Sequence, residues 1–237
     1  MLQCESEPAY LLHQRPYRDS SLLLEVLTRS HGRQGIIARG ARAARSRWRG
    51  LLQPFQPLLI GWRARADLGT LTQAEPNGRM LSMQRQPLFA AFYLNELLLR
   101  LLPRGDVEIA CFEDYVQALQ AVADDSLEEG LRIFEKRLLQ NLGYGLQLDC
   151  DVETGEAIQP LGWYRYIPEH GPIRVSSKAA TVTMFRGETL LALYNEHLDD
   201  ARVLSEAKQL LRENLRIYLG DRPLKTREVL RAMQRDA

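Results

Sequence analysis

Cysteine is scarce in this sequence and poorly placed for cross-linking. Cys4, Cys111 and Cys150 are far apart and odd in number, so neither a disulfide framework nor a C-x-x-C zinc site is encoded. Long apolar runs are missing as well. The most apolar segment, Leu88 to Leu102, is interrupted by Asn95, Glu96 and Arg100, short of the roughly 20 apolar residues that a membrane span needs. Met1-Leu2-Gln3-Cys4-Glu5 places no basic stretch ahead of an apolar core, so no secretory signal is expected. Catalytic motifs are equally absent: there is no G-x-x-x-x-G-K-[ST], no H-E-x-x-H and no G-x-S-x-G. Gly143-Tyr144-Gly145 begins like a dinucleotide fingerprint but follows a helical pattern, so it reads as a helix stop. The four histidines, His13, His31, His170 and His197, are isolated in sequence and expected at surface or turn positions. The paired acids Asp124-Asp125 and Glu128-Glu129 sit where a helix begins, where acids favour the macrodipole. These absences predict a cytoplasmic protein without membrane, metal or cofactor that is not an enzyme.

What is present is an uneven distribution of charge. The formal net charge is only +1. Residues 1–80 nevertheless hold twelve Arg, no Lys and six acids, while the remainder holds nineteen basic and twenty-four acidic residues. Nine Arg and no acid lie between Val26 and Ala66. A basic half on a nearly neutral chain points to a polyanion partner. Arginine sharpens this, because its planar guanidinium makes bidentate contacts to phosphate and stacks on bases. The densest stretch is Arg39-Gly40-Ala41-Arg42-Ala43-Ala44-Arg45-Ser46-Arg47-Trp48-Arg49-Gly50. An aromatic among arginines is the recurring chemistry of single-strand binding. A solvated charge run is the plainer reading, but such a face normally mixes both signs.

Periodicity divides the chain near Asn77-Gly78. Before it, Pro8–Tyr17, Ser20–Thr28, Gly32–Arg39, Leu51–Trp62 and Leu68–Ala74 make five candidate strands, with Leu22, Leu24 and Val26 alternating onto one face. Five short strands suit a closed barrel, since closure removes exposed edges. After it the period is helical: Leu88–Leu102, Val107–Ala123, then a helix starting at a Ser126/Glu129 capping box and stopped by Gly143. Helices resume at 188–196, 201–219 and 226–235, the last capped by Thr226. Residues 150–186 are rich in Gly and Pro and predict a turn-rich insertion. The expected class is α+β: an N-terminal OB-fold barrel over 1–80, then a mainly helical domain over 81–237.

Several segments together resemble the bacterial RecO family of recombination mediators. They are Ala38-Arg39-Gly40-Ala41-Arg42, Leu51-Leu52-Gln53-Pro54-Phe55-Gln56-Pro57-Leu58, Tyr93-Leu94-Asn95-Glu96-Leu97-Leu98, Leu142-Gly143-Tyr144-Gly145 and Pro223-Leu224-Lys225-Thr226-Arg227-Glu228. The resemblance runs essentially end to end. It implies an OB-fold barrel, binding of single- and double-stranded DNA, annealing of complementary strands, and help in loading RecA onto DNA coated by single-stranded DNA-binding protein. It also implies RecR as partner and a nucleoid-associated location. Some members hold zinc with four cysteines in the segment corresponding to 150–186. Only Cys150 lies near it here, so zinc is not carried over. The alternative is a barrel that merely sequesters single strands.

The expected DNA-binding residues are Arg33, Arg39, Arg42, Arg45, Arg47 and Arg49, with Arg63 and Arg65 beside the fourth strand. Lys225 and Arg227 come from the C-terminal motif, and Trp48 is the stacking candidate against a ring that packs on the barrel. The tail of single-stranded DNA-binding protein is acidic and ends in an apolar residue with a free carboxylate. Its receptor needs a guanidinium beside an apolar pocket. Arg132 matches the family stretch Leu131-Arg132-Ile133-Phe134-Glu135, with Leu131 and Phe134 as the apolar lining. Both apolar residues also fit the helix's core stripe.

Overall fold

The computed structural model describes residues 2–64, 67–124, 126–175 and 183–229. Arg65, residues 176–182 of the insertion and residues 230–237, which include much of the helix expected over 226–235, lie outside them. Five strands form a closed barrel in the order β1-β2-β3-β5-β4: β1 Leu2–Tyr17, β2 Ser21–Thr28, β3 Gly32–Ala38, β4 Leu58–Ala64 and β5 Leu68–Pro76. All pairings are antiparallel except β3 with β5. This OB-like barrel followed by helices is the α+β architecture expected from the sequence.

Two strands differ from expectation. The first begins at Leu2, well before Pro8, although Gln3-Cys4-Glu5-Ser6-Glu7 carries no clean alternation. Bulges between Cys4 and Glu7 and between Leu11 and His13 bend it, so that its first half pairs with β4 and its second half with β2. The fourth strand starts only at Leu58. Leu51–Pro57 remains loop, because Pro54 and Pro57 lack the N–H a ladder needs and Phe55 sits at φ 64°.

The barrel interior holds Leu11, Leu24, Val26, Ile36, Leu58, Ile60, Trp62 and Leu71. The alternation in β2 is real but only half of the burial: Leu23 and Leu27, on its other face, are also buried. The outside of β1 is covered by α1 (Gln86–Leu101) and α2 (Ile109–Ala123). The Tyr10 ring meets Phe112 at 5.9 Å and Tyr115 at 5.4 Å. Asn95 donates to the Leu12 carbonyl at 3.0 Å and accepts from the Tyr115 hydroxyl at 2.6 Å, which satisfies polar groups that burial would otherwise penalise. Gly32 is obligatory at the β2–β3 turn: its φ is 63°, and a Cβ would lie 1.8 Å from the Asp106 carbonyl oxygen.

The chain therefore divides into two compact units at places other than the change of periodicity. One comprises Met1–Ala123 with Pro223–Ala237, the other Asp124–Arg222. The second contains α3 (Leu127–Asn141), α4 (Gly187–Asn195), α5 (Ala201–Leu219) and a small antiparallel sheet. Its strands β6 (Trp163–Ile167), β7 (Gly171–Val175) and β8 (Phe185–Arg186) run in the order β7-β6-β8. Ser126 occupies the position before α3 but makes no side-chain hydrogen bond, so the expected capping box does not form. Its ψ of 33° lies outside the extended region that turns an N-cap oxygen onto the helix amides. Gly143 does stop α3: at φ 82° it donates to the Gln140 carbonyl, and Tyr144 donates to that of Leu139, a Schellman arrangement.

Candidate nucleic-acid interface

The connection 39–57 between β3 and β4 carries the arginine cluster, and consecutive turns hold it in shape. Amide donors at Ala43, Ser46 and Arg49 reach carbonyls of Gly40, Ala43 and Ser46 at 3.0–3.2 Å, and the Arg42 amide reaches Ser20 at 2.8 Å. Buried Trp48, Leu52 and Phe55 anchor the same segment. Small residues between the arginines permit the tight turns and leave Arg39, Arg42, Arg45, Arg47 and Arg49 exposed.

Trp48 is not a stacking platform. The ring is 6% exposed and belongs to the barrel core. Its Nε1–H donates to the Arg39 carbonyl at 3.3 Å, and the Arg47 guanidinium covers it at 4.1 Å from the ring centre. The large apolar area of an indole is more stable in the core than in water, and the turns bring it there. Arg47 also donates to the Thr72 carbonyl at 3.0 Å. Arg42 donates to the carbonyls of Arg18 and Asp19 at 3.4 Å each, and Arg49 to that of Ala44 at 3.3 Å. Arg39, Arg45 and Arg63 are exposed and make no side-chain hydrogen bond or ion pair among the described residues. Carbonyl contacts leave a guanidinium's charge uncompensated, so this surface keeps its positive field.

Arg33 is engaged elsewhere. Its Nη1 donates to the Leu99 carbonyl at 2.6 Å. Burial pushes its pKa below the usual arginine value, against the pull of Glu25. Glu25 is gripped through both oxygens by Arg104. Arg33 thus joins barrel to helix and is withdrawn from the surface. Arg65 lies outside the described residues. Near the C-terminus the Lys225 side chain is exposed, whereas the Arg227 guanidinium rests on Tyr93, 5.5 Å from the ring centre and 3.4 Å from its hydroxyl. The helix, described over 225–229, starts two residues earlier than an N-cap at Thr226 requires. Glu96 accepts its first amides, from Lys225 at 2.8 Å and Thr226 at 2.9 Å.

The expected tail-binding trio is enclosed. Leu131 and Phe134 are core residues, and Arg132, 4% exposed, donates to Glu135 at 2.9 Å. The spacing i, i+3 lets these two meet on one helical face, and both are turned inward. An enclosed guanidinium is not presented to a carboxylate tail.

Two features escaped the sequence. Arg15 and Arg18 are exposed in the β1–β2 hairpin, whose turn adjoins the arginine loop through the Ser20 and Arg18 carbonyls. They lie twenty or more residues upstream, so only strand pairing shows the proximity. His31 lies in the β2–β3 turn, as expected, yet shares a cluster with Cys4 and Glu7. Among the described residues, no helix is long and apolar enough to cross a membrane.

Comparison with known proteins fits this geometry. The family model described as recombination protein O N terminal matches residues 1–79, and that described as recombination protein O C terminal matches residues 84–228. DNA repair protein RecO of Coxiella burnetii is 45% identical over 224 residues, covering 94% of this chain and 96% of the relative. Its counterpart in Nitrosococcus oceani is 46% identical over 230 residues, covering 97% and 94%. That of Methylococcus capsulatus is 45% identical over 225 residues, covering 94% and 92%. Matched over nearly its whole length by both halves of one family, this chain belongs to the recombination protein O (RecO) family.

Proposed function

We propose that the chain is a non-enzymatic mediator of DNA repair and recombination. It binds single- and double-stranded DNA, anneals complementary strands, and helps load RecA onto DNA coated by single-stranded DNA-binding protein, with RecR as a partner. The observation that carries this reading is the acid-free connection 39–57, whose arginines stand exposed on a turn-stabilised platform anchored in the barrel. Phosphates bound there release counterions, and charge neutralisation lets two strands approach. Annealing needs no covalent step, so its demands are met by guanidinium groups alone.

The enclosure of Arg132 favours a second reading on one point. The tail of the coat protein docks elsewhere on the chain, or the chain only sequesters bare strands. Annealing rates separate these. Complementary strands are mixed with the protein, naked and then coated by the cognate single-stranded DNA-binding protein, at low and moderate salt. Acceleration that survives coating supports the mediator. Acceleration of naked strands alone removes the coat-protein partner, and tight binding without acceleration supports the sequestering module.

A further inference from the structure

We propose that Cys4, Glu7 and His31 form a binding site for a zinc-class divalent cation where the first half of β1 meets the β2–β3 turn. The Cys4 thiol, a Glu7 carboxylate oxygen and a His31 ring nitrogen lie within 4.8 Å of one another. No sequence spacing announces them. Cys4 and Glu7 flank the bulge in β1, and His31 comes from the β2–β3 turn.

The polar groups of the cluster are incompletely used. Glu7 is 6% exposed. One carboxylate oxygen accepts the Ser30 amide at 2.5 Å. The other faces His31 Nδ1 at 3.7 Å, beyond hydrogen-bonding range. His31 Nδ1 is itself buried without a hydrogen-bond partner, which is uncommon for a buried polar atom. A cation between these groups satisfies all three at once.

The donor set selects the cation. Thiolate, imidazole and carboxylate together suit zinc, and three protein ligands leave a fourth position for water. Zn–S near 2.3 Å and Zn–N or Zn–O near 2.0–2.1 Å place tetrahedral donors about 3.3–3.6 Å apart. Glu7 and His31 already stand close to that separation, so the cluster needs to contract by about 1.5 Å at most. The surroundings orient the ligands. The Ser30 amide holds Glu7, Gln34 Nε2 donates to the His31 carbonyl at 2.5 Å, and Trp62 meets the imidazole edge-on at 5.2 Å. A thiolate and a carboxylate balance the two positive charges.

The metal displaces the thiol proton: Zn2+ and Cys4–SH give Zn–S–Cys4 and one H+ released to solvent. Affinity rises with pH accordingly. The bound ion ties the first half of β1 to the β2–β3 turn.

The test uses the untagged full chain, stripped with a chelator and titrated with Co2+ and then Zn2+. One Co2+ per chain with a thiolate-to-cobalt charge-transfer band, displaced by Zn2+, is the expected result. Cys4→Ser abolishes that band. His31→Gln weakens binding by more than the roughly 10–100-fold that outer-shell changes cost. Cys150→Ser leaves binding unchanged. In the wild-type chain, Zn2+ protects Cys4 from alkylation and raises the melting temperature, so the readout does not depend on any variant folding. A thiolate band that persists in Cys4→Ser or vanishes in Cys150→Ser overturns the proposal. So does equal alkylation of Cys4 with and without Zn2+, as expected of a plain His31–Glu7 ion pair.

Discussion

Glu96 holds Thr226 by both of its donors: the amide at 2.9 Å and the hydroxyl at 2.7 Å converge on one carboxylate oxygen. The other oxygen takes the Lys225 amide at 2.8 Å. Two segments about 130 residues apart, Tyr93–Leu98 and Pro223–Glu228, are thereby joined, and an acid outside the helix does the work of an N-cap. Glu96→Ala is expected to cost about 2 kcal/mol, the upper end for removal of a cap with charge-assisted bonds. Urea unfolding measures the loss, and hydrogen exchange at the 225 and 226 amides should quicken. Unchanged exchange there would show that Glu96 does not hold the helix.

Replacing Arg42, Arg45, Arg47 and Arg49 together by Ala should weaken single-strand binding and flatten its salt dependence. Removing one guanidinium that neutralises a phosphate lowers the slope of log K against log salt by about 0.7 for single strands, so four such arginines account for about 3. Titrations at several salt concentrations measure this. An unchanged slope removes the loop from the interface. Arg33→Ala should leave the slope alone and reduce stability, because that guanidinium serves the Leu99 carbonyl.

Trp48 separates packing from stacking. Trp48→Ala should cost about 3–5 kcal/mol, as large core truncations do, and should weaken DNA binding by loosening the loop. Trp48→Phe keeps most of the apolar volume and should retain DNA affinity within about threefold, roughly 0.7 kcal/mol. A stacking role would predict similar DNA losses for Trp48→Ala in stabilised backgrounds and in the original one.

Arg132→Ala should destabilise Asp124–Arg222 by about 3 kcal/mol, because it strips a guanidinium from an enclosed carboxylate. The double change Arg132→Met with Glu135→Leu should recover most of that loss. Thermal unfolding checks both. Weakened tail binding by Arg132→Ala points to a direct role only if the double variant shows it too.

Acid should loosen the same unit. Asp151 accepts amides from Glu153, Thr154 and Arg174, and against the upward push of burial they hold its carboxyl below the usual range. Glu196, also pushed up by burial, is held low by Arg137 and Lys136. A depressed pKa contributes stability above the unfolded value, about 3.9 for Asp and 4.3 for Glu. That contribution disappears as pH falls through the lower folded values. Asp151→Asn with Glu196→Gln should be less stable at neutral pH and lose less between about pH 5 and 3. Parallel curves for variant and wild type would refute the assignment.

Much of the architecture is legible in the sequence because it rests on local physics. Helix α5 forms where Asp200 and Gly220 bound an amphipathic stretch, and Gly143 ends α3 because only its backbone adopts a left-handed stop cheaply. The arginine loop can be read because five positive charges within eleven residues, without an acid, cannot be a core. Strand β1 looks shorter in the sequence than in the fold because bulges break the alternation that periodicity detects. The grouping of α1 and α2 with the barrel is hidden for a related reason. Buried Tyr10 and Leu12 look like ordinary strand residues until a helix covers them.

Composition, periodicity and charge thus determined the class, the helices and the basic loop, since each depends on neighbours within a few residues. Tertiary structure alone decided how individual side chains are used. Whether Trp48 faces a base or the core, whether Arg33 and Arg132 meet solvent or carbonyl and carboxylate, and whether Cys4, Glu7 and His31 meet at all depends on groups distant in the chain. Side-chain fate is set by the burial and partners that packing supplies, and a linear pattern does not carry that information.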